Sequence, residues 1–100
     1  MELYQAEWCP HSHLVRQRLT ELGVDVVLRQ VPADPDERAE LERASGSTEI
    51  PVLVLEDGWP ICGDDQIIEH LDRFPERDDA DEHRAKALEE VRGFFELRTA

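Results

Sequence analysis

The apolar positions of this chain change their spacing in an orderly way, and each change predicts an element. Glu2 to Gln5 reads as a short strand. From Pro10 to Leu22 the residues Leu14, Val15, Leu19 and Leu22 recur on one helical face, and Gly23 stops the run. Val24 to Val31 predicts a second strand. Pro32 to Pro35 is a turn in which Asp34 caps a helix running from Pro35 to about Ala44, with Asp36 and Glu37 suiting the dipole of its first turn. Pro51 to Leu55 is a nearly continuous apolar run, the pattern of a strand buried on both faces. Glu56-Asp57-Gly58 turns it back into Trp59 to Cys62, an antiparallel partner. Gly63-Asp64-Asp65 opens a helix carrying Ile67, Ile68, Leu71 and Phe74, ended by Pro75. The charged linker Glu76 to Asp81 leads to a last helix whose Leu88, Val91, Phe94 and Phe95 form an apolar stripe.

The order β-α-β-α-β-β-α places the chain in the α/β class, as a four-stranded mixed sheet with flanking helices and an extra C-terminal helix. Residues 1–75 are expected to make the domain, and residues 76–100 a linker and an amphipathic helix packed on it. A stripe as wide as the one on that helix needs a partner surface. Packing within the chain is expected, giving a monomer, with a two-fold dimer through the same helix as the alternative. One hundred residues, 40% of them hydrophobic, suffice for a single core. The net charge of −13 works against nucleic acid and against an anionic membrane as partners, since both require a cationic face. Two cysteines far apart, no charged-then-apolar leader and no apolar run of ~18 residues point to a cytoplasmic protein rather than a secreted disulfide scaffold.

The chemistry concentrates in Trp8-Cys9-Pro10-His11-Ser12, where the first strand delivers a cysteine to the mouth of a helix. The N–H groups of a first helical turn and the positive end of the dipole favour a thiolate placed there, and a thiolate is a nucleophile. Pro10 fits the first helical position. Ser12 stands where a two-cysteine redox site has its second thiol, so the motif is monothiol. His11 and His13 beside Cys9 suggest a metal only weakly, because the three side chains fan out over one turn and no second ligand cluster accompanies them. His11 is expected to line the site and His13 to face solvent. Cys62 reads either as a resolving thiol for Cys9 or, preferably, as a buried small hydrophobe. Trp8 and Trp59 either border the site or cover the edge of the core.

Three landmarks occur in order at element boundaries: Cys9-Pro10-His11-Ser12, Thr48-Glu49-Ile50-Pro51 and Gly63-Asp64-Asp65. Together they make residues 1–74 resemble a glutaredoxin, or the thioredoxin-fold N-terminal domain of a cysteine-type glutathione transferase. The resemblance implies a thioredoxin fold in which Pro51 is cis and Ile50 presents its backbone N–H and C=O to a bound thiol peptide. It also implies that Asp64 and Asp65 receive the ammonium and carboxylate of a γ-glutamyl group, beside their ordinary role at the start of a helix.

Several positions depart from the family pattern. Ala6 and Glu7 stand where a lysine usually precedes the cysteine, His11 replaces an aromatic, and Ser47 replaces a basic residue. Arg38 and Arg43 are then the candidates for a ligand carboxylate. Pro10, in place of the glycine that accompanies cluster-bridging monothiol relatives, argues against an iron–sulfur role. The expected function is monothiol thiol-disulfide exchange through Cys9 on protein mixed disulfides. No cofactor is expected to be bound, and the co-substrate would be glutathione or another low-molecular-weight thiol. The alternative is a non-catalytic thiol-binding or interaction module, a stand-alone counterpart of a transferase N-terminal domain.

Overall fold

Strand β1 (Glu2–Gln5) lies inside a four-stranded sheet of order β2-β1-β3-β4, with β2 at Val27–Gln30, β3 at Val52–Val54 and β4 at Pro60–Cys62. The computed structural model describes residues 1–89. β1 runs parallel to β2, with Leu3 opposite Leu28, and antiparallel to β3, with Leu3 opposite Leu53. β3 pairs antiparallel with β4, placing Leu53 beside Ile61 and Val52 beside Cys62. Helices α1 (Pro10–Leu22), α2 (Ala39–Ser45), α3 (Asp64–Leu71) and α4 (Ala80–Leu88) complete the described chain. This is the mixed sheet with flanking helices of the thioredoxin fold.

The period-two alternation of strands sorts the core into two layers. Leu3 and Leu53 pack with Val15, Leu19 and Leu22 of α1 and with Ile67 and Leu71 of α3. Tyr4 and Val52 face the other way, onto Leu41 of α2. Burial of Val52 and Leu53 on opposite faces explains why Pro51 to Leu55 carries no polar alternation.

Four boundaries or faces differ from the sequence expectation, each for a physical reason. Leu14 is 49% exposed, and the buried face of α1 takes Ser12 in addition to Val15, Leu19 and Leu22. The second strand starts at Val27 rather than Val24, because Val24 donates its N–H to the Leu19 carbonyl and closes α1 beyond Gly23, whose φ of 67° suits glycine. The helix expected from Pro35 divides into a 3-10 turn, Pro35–Glu37, and α2. Arg38 between them, at φ −92° and ψ 51°, turns inward and is only 5% exposed. Its guanidinium donates to the carbonyls of Pro32 (2.7 Å), Ala33 (3.1 Å) and Thr48 (2.9 Å), so it is not placed to receive a ligand carboxylate.

The fourth difference is the end of α3, which closes at Leu71, ahead of Pro75, with the Phe74 N–H donating to the Leu71 carbonyl at 2.9 Å. Helix α4 packs on α1 with polar groups at the contact. Arg84 bonds Glu21 of α1 (3.0 Å), as well as Glu76 and Asp81, while Arg18 bonds Glu21 (2.9 Å), Asp72 (3.0 Å) and Glu76 (2.7 Å). Leu88 is 87% exposed and takes no part in the packing. Val91, Phe94 and Phe95 lie outside the described residues.

Burial works against the charged form of Glu21, but Gln17, Arg18 and Arg84 outweigh it and hold the carboxyl below its ordinary value. Arg84 first, then Arg18, hold Glu76 down from 4.5 to about 2. Carboxyls lowered in the folded state stabilise it above their unfolded titration range and cease to do so as pH falls through the folded value. Hydrogen-exchange protection of α4 is therefore expected to decline between about pH 4.5 and 2, ahead of the sheet. Arg84→Gln should remove most of that dependence, and an unchanged profile would show that the ion pairs do not hold the helix. Arg38→Met leaves three carbonyls without their donor and is expected to cost about 2–4 kcal/mol in urea unfolding. A cost within ±0.5 kcal/mol, as usual for a surface change, would contradict the anchoring role.

Candidate functional site

The site forms where two helices begin at one end of the sheet. β1 ends at Gln5, and the next residues, Ala6 to Trp8, turn so that the Cys9 N–H donates to the Ala6 carbonyl at 3.2 Å. Cys9 is then the N-cap of α1, in extended backbone at φ −82° and ψ 118°, with Pro10 at the first helical position. Its sulfur accepts the Ser12 N–H at 3.4 Å, as the side-chain oxygen of a serine or aspartate cap does. The thiol is nearly buried, and Cys9 forms no disulfide.

Burial is the largest single influence on the Cys9 thiol and disfavours its charge. The Ser12 hydroxyl, the Ser12 and His11 N–H groups and the Arg16 guanidinium together outweigh it, so the thiol is held below its ordinary value. The Ser12 hydroxyl is wholly buried and, among the described residues, has no partner within hydrogen-bonding geometry. A thiolate at Cys9 offers that hydroxyl an acceptor, which ties its burial to the charged state.

Arg16 is the cation near the thiol that the sequence reading missed, the smallest of the named influences that lower the Cys9 thiol. It lies two helical turns beyond Cys9 on the same side of α1, and it donates to Gln5, to the Ala6 carbonyl (3.4 Å) and to Glu7 (2.9 Å). These contacts fix a cation beside the strand end where Ala6 and Glu7 replace the expected lysine. The signal available in the sequence was the spacing of seven residues from Cys9, which is two turns of helix.

The remaining predicted residues divide into those tied to the two helix starts and those left apart. The Ile50–Pro51 peptide bond is cis, Pro51 is buried, and its carbonyl accepts the Gly63 N–H at 3.0 Å, hooking the start of α3 to this loop. Among the described residues no backbone hydrogen bond uses the N–H or C=O of Ile50. Asp64 and Asp65 occupy the first turn of α3. Asp64 lies 3.3 Å from Nδ1 of His11, so the two helix starts touch through these side chains. Asp65, His13, Trp8 and Trp59 are exposed, and neither tryptophan covers the core. Cys62 is also exposed, contrary to the buried hydrophobe expected, because it sits on the edge strand β4; it too forms no disulfide. Among the described residues no three His, Cys, Asp or Glu side chains are grouped to hold a metal ion.

Comparison with known proteins agrees with this geometry. The model of the glutaredoxin family matches residues 1–58. A glutaredoxin of Pseudomonas aeruginosa is 39% identical over 51 residues, which is 51% of this chain and 61% of that protein. Among solved structures, a glutathione S-transferase domain-containing protein of Marinobacter aquaeolei superposes with a TM-score of 0.66 at 30% identity. That match covers 75% of this chain and 39% of the transferase. A class Gtt2 glutathione S-transferase of Vibrio parahaemolyticus gives a TM-score of 0.62 at 28% identity, over 77% of this chain and 40% of its own. The chain thus spans under two thirds of the curated relative and about two fifths of each transferase. With the family model covering more than half its length and the cysteine, proline and aspartate landmarks meeting at one end of the sheet, the chain belongs to the glutaredoxin family.

Proposed function

We propose that this protein is a monothiol thiol-disulfide oxidoreductase that uses Cys9 as nucleophile and a low-molecular-weight thiol such as glutathione as co-substrate. The observation that carries this reading is the Cys9 sulfur itself, capping α1 and held below the ordinary thiol range. In the first step the Cys9 thiolate attacks the small-thiol sulfur of a protein mixed disulfide. A Cys9–small-thiol disulfide forms, and the protein's sulfur leaves as a thiolate that takes up a proton. In the second step another small thiol, as thiolate, attacks the small-thiol sulfur of that intermediate. A disulfide of two small thiols leaves, and the Cys9 thiolate returns. The one incoming small thiol is the reductant: its sulfur passes from thiol to disulfide as the protein's passes from disulfide to thiol, so the cycle needs no bound cofactor. Ser12 stabilises the leaving and attacking charge at Cys9 and has no sulfur with which to close a second disulfide.

Ile50 is assigned the backbone contacts of the bound thiol peptide, supported by its unused N–H and C=O beside cis-Pro51. Asp64 is assigned the ligand's ammonium group and Asp65, at the helix start, the N–H contacts to its carboxylate. A cytoplasmic setting, where thiols stay reduced, suits this chemistry.

A second reading draws on the transferase-like structures, whose chains extend well beyond the matched region. In it the domain binds a thiol without turning it over. A coupled assay with a glutathionylated protein separates the two. Turnover abolished by Cys9→Ser and retained by Cys62→Ser supports exchange, whereas wild-type binding without turnover supports the second reading.

The thiol itself makes a further prediction. Alkylation of Cys9 should reach half its maximal rate below the ordinary thiol titration near 9.0, while the shared influences of Ser12, His11 and Arg16 persist. Arg16→Met should slow alkylation several-fold at pH 6 and leave it nearly unchanged at pH 10, where the thiol ionises without help. Equal slowing at both values would mean that Arg16 controls access rather than charge.

A further inference from the structure

We propose that His11 occupies Asp64 in the free protein as an internal stand-in for the ligand's ammonium group, so that His11 sets how strongly the site discriminates for or against thiols carrying that cation. The inference rests on the reading of Asp64 as the ammonium acceptor.

Nδ1 of His11 reaches Oδ1 of Asp64 at 3.3 Å. A carboxylate in the first turn of α3 is already favoured by the helix dipole and does not need a cation from another element. Among the described residues no other basic side chain contacts Asp64, and Arg16 is engaged by Gln5, Ala6 and Glu7. The imidazole is 62% exposed and the carboxylate 20%, so the imidazole covers the less exposed partner. A ligand ammonium seeking Oδ1 of Asp64 competes with this imidazole. The displacement offsets part of what the new ion pair contributes, and an exposed pair is worth about 0.2–1 kcal/mol, or roughly a 1.5- to 5-fold change in affinity. A thiol without the ammonium group leaves the pair in place and loses nothing.

The test measures KM at pH 6 for glutathione and for its analogue lacking the γ-glutamyl ammonium group, in the wild type, His11→Phe, Asp64→Asn and the double variant. Cys9 alkylation serves as the control for an intact site. His11→Phe is expected to lower the glutathione KM about three-fold while moving the analogue's by less than half that factor. Asp64→Asn should then raise the glutathione KM more in the His11→Phe background than in the wild type. Equal shifts for both thiols on His11→Phe would overturn the proposal, because His11 would be acting on the sulfur. So would a glutathione KM indifferent to His11→Phe but raised by Asp64→Asn, with the reading of Asp64 left standing. Asp64→Asn without effect in either background would instead overturn that reading and the proposal with it.

Discussion

The hydrogen bond from the Ser12 N–H to the Cys9 sulfur closes the first turn of α1 at 3.4 Å, and with it the reactive group becomes part of the scaffold. A helix N-terminus leaves donors that must be met by side chains, water or a ligand. Here a sulfur meets one of them, and as a thiolate it meets them better, since a charged acceptor makes the stronger bond. The buried Ser12 hydroxyl, otherwise without a partner among the described residues, is a donor that a charged sulfur would satisfy. Helix initiation and thiol activation are therefore one interaction viewed from two ends. This is why Pro10, which removes a donor and presets φ, fits beside the cysteine without disturbing it.

That interaction is held in place by the interior strands. β1 is paired on both sides, and its Leu3 and Tyr4 are buried on opposite faces. The strand cannot slip by one residue without exchanging the two layers. Its end is consequently a fixed point, and the turn through Ala6 sets Cys9 relative to it. The loop before β3 is fixed from two directions: Arg38 holds the Thr48 carbonyl, and the Gly63 N–H holds the Pro51 carbonyl. The second bond also locates the start of α3, so a backbone contact ties the proline to the first aspartate while the Arg38 side chain braces the loop from its other end.

Much of this arrangement is visible in the sequence because it follows from local rules. Cys9-Pro10 before an apolar periodic run, Gly23 after it, and the unbroken Pro51 to Leu55 run each have one dominant physical reading, and the elements found agree with them. What escaped depends on contacts remote in sequence. Arg38 reads as a surface cation on a helix, yet the carbonyls of two loops bury it and break the helix there. Leu14 and Ser12 exchange the roles their chemistry suggests, because the hydroxyl is needed at the sulfur and the leucine lies off the packed arc. Cys62 falls on an edge strand, a fact of sheet order that no single strand encodes. The polar attachment of α4 needs Arg18, Glu21, Glu76 and Arg84 to converge from three segments, which no local pattern announces. At the site, the landmarks were legible one by one, but Arg16 and the His11–Asp64 pair appear only when two helices are set side by side.

The overall charge and the local field pull in opposite directions, and range decides between them. A protein of net charge −13 repels an anionic thiol approaching from solution, but at physiological ionic strength screening acts within about 8 Å. Inside that distance the groups around the sulfur count instead: the N-terminus of α1, the Ser12 and His11 N–H groups and Arg16. Bulk acidity therefore acts at long range, while the Cys9 thiol answers to the few groups at the helix start. Arg16 adds the smallest of the named influences there, beside the position where Ala6 replaces a lysine. The acidic surface is left free to serve solubility without governing the chemistry of Cys9.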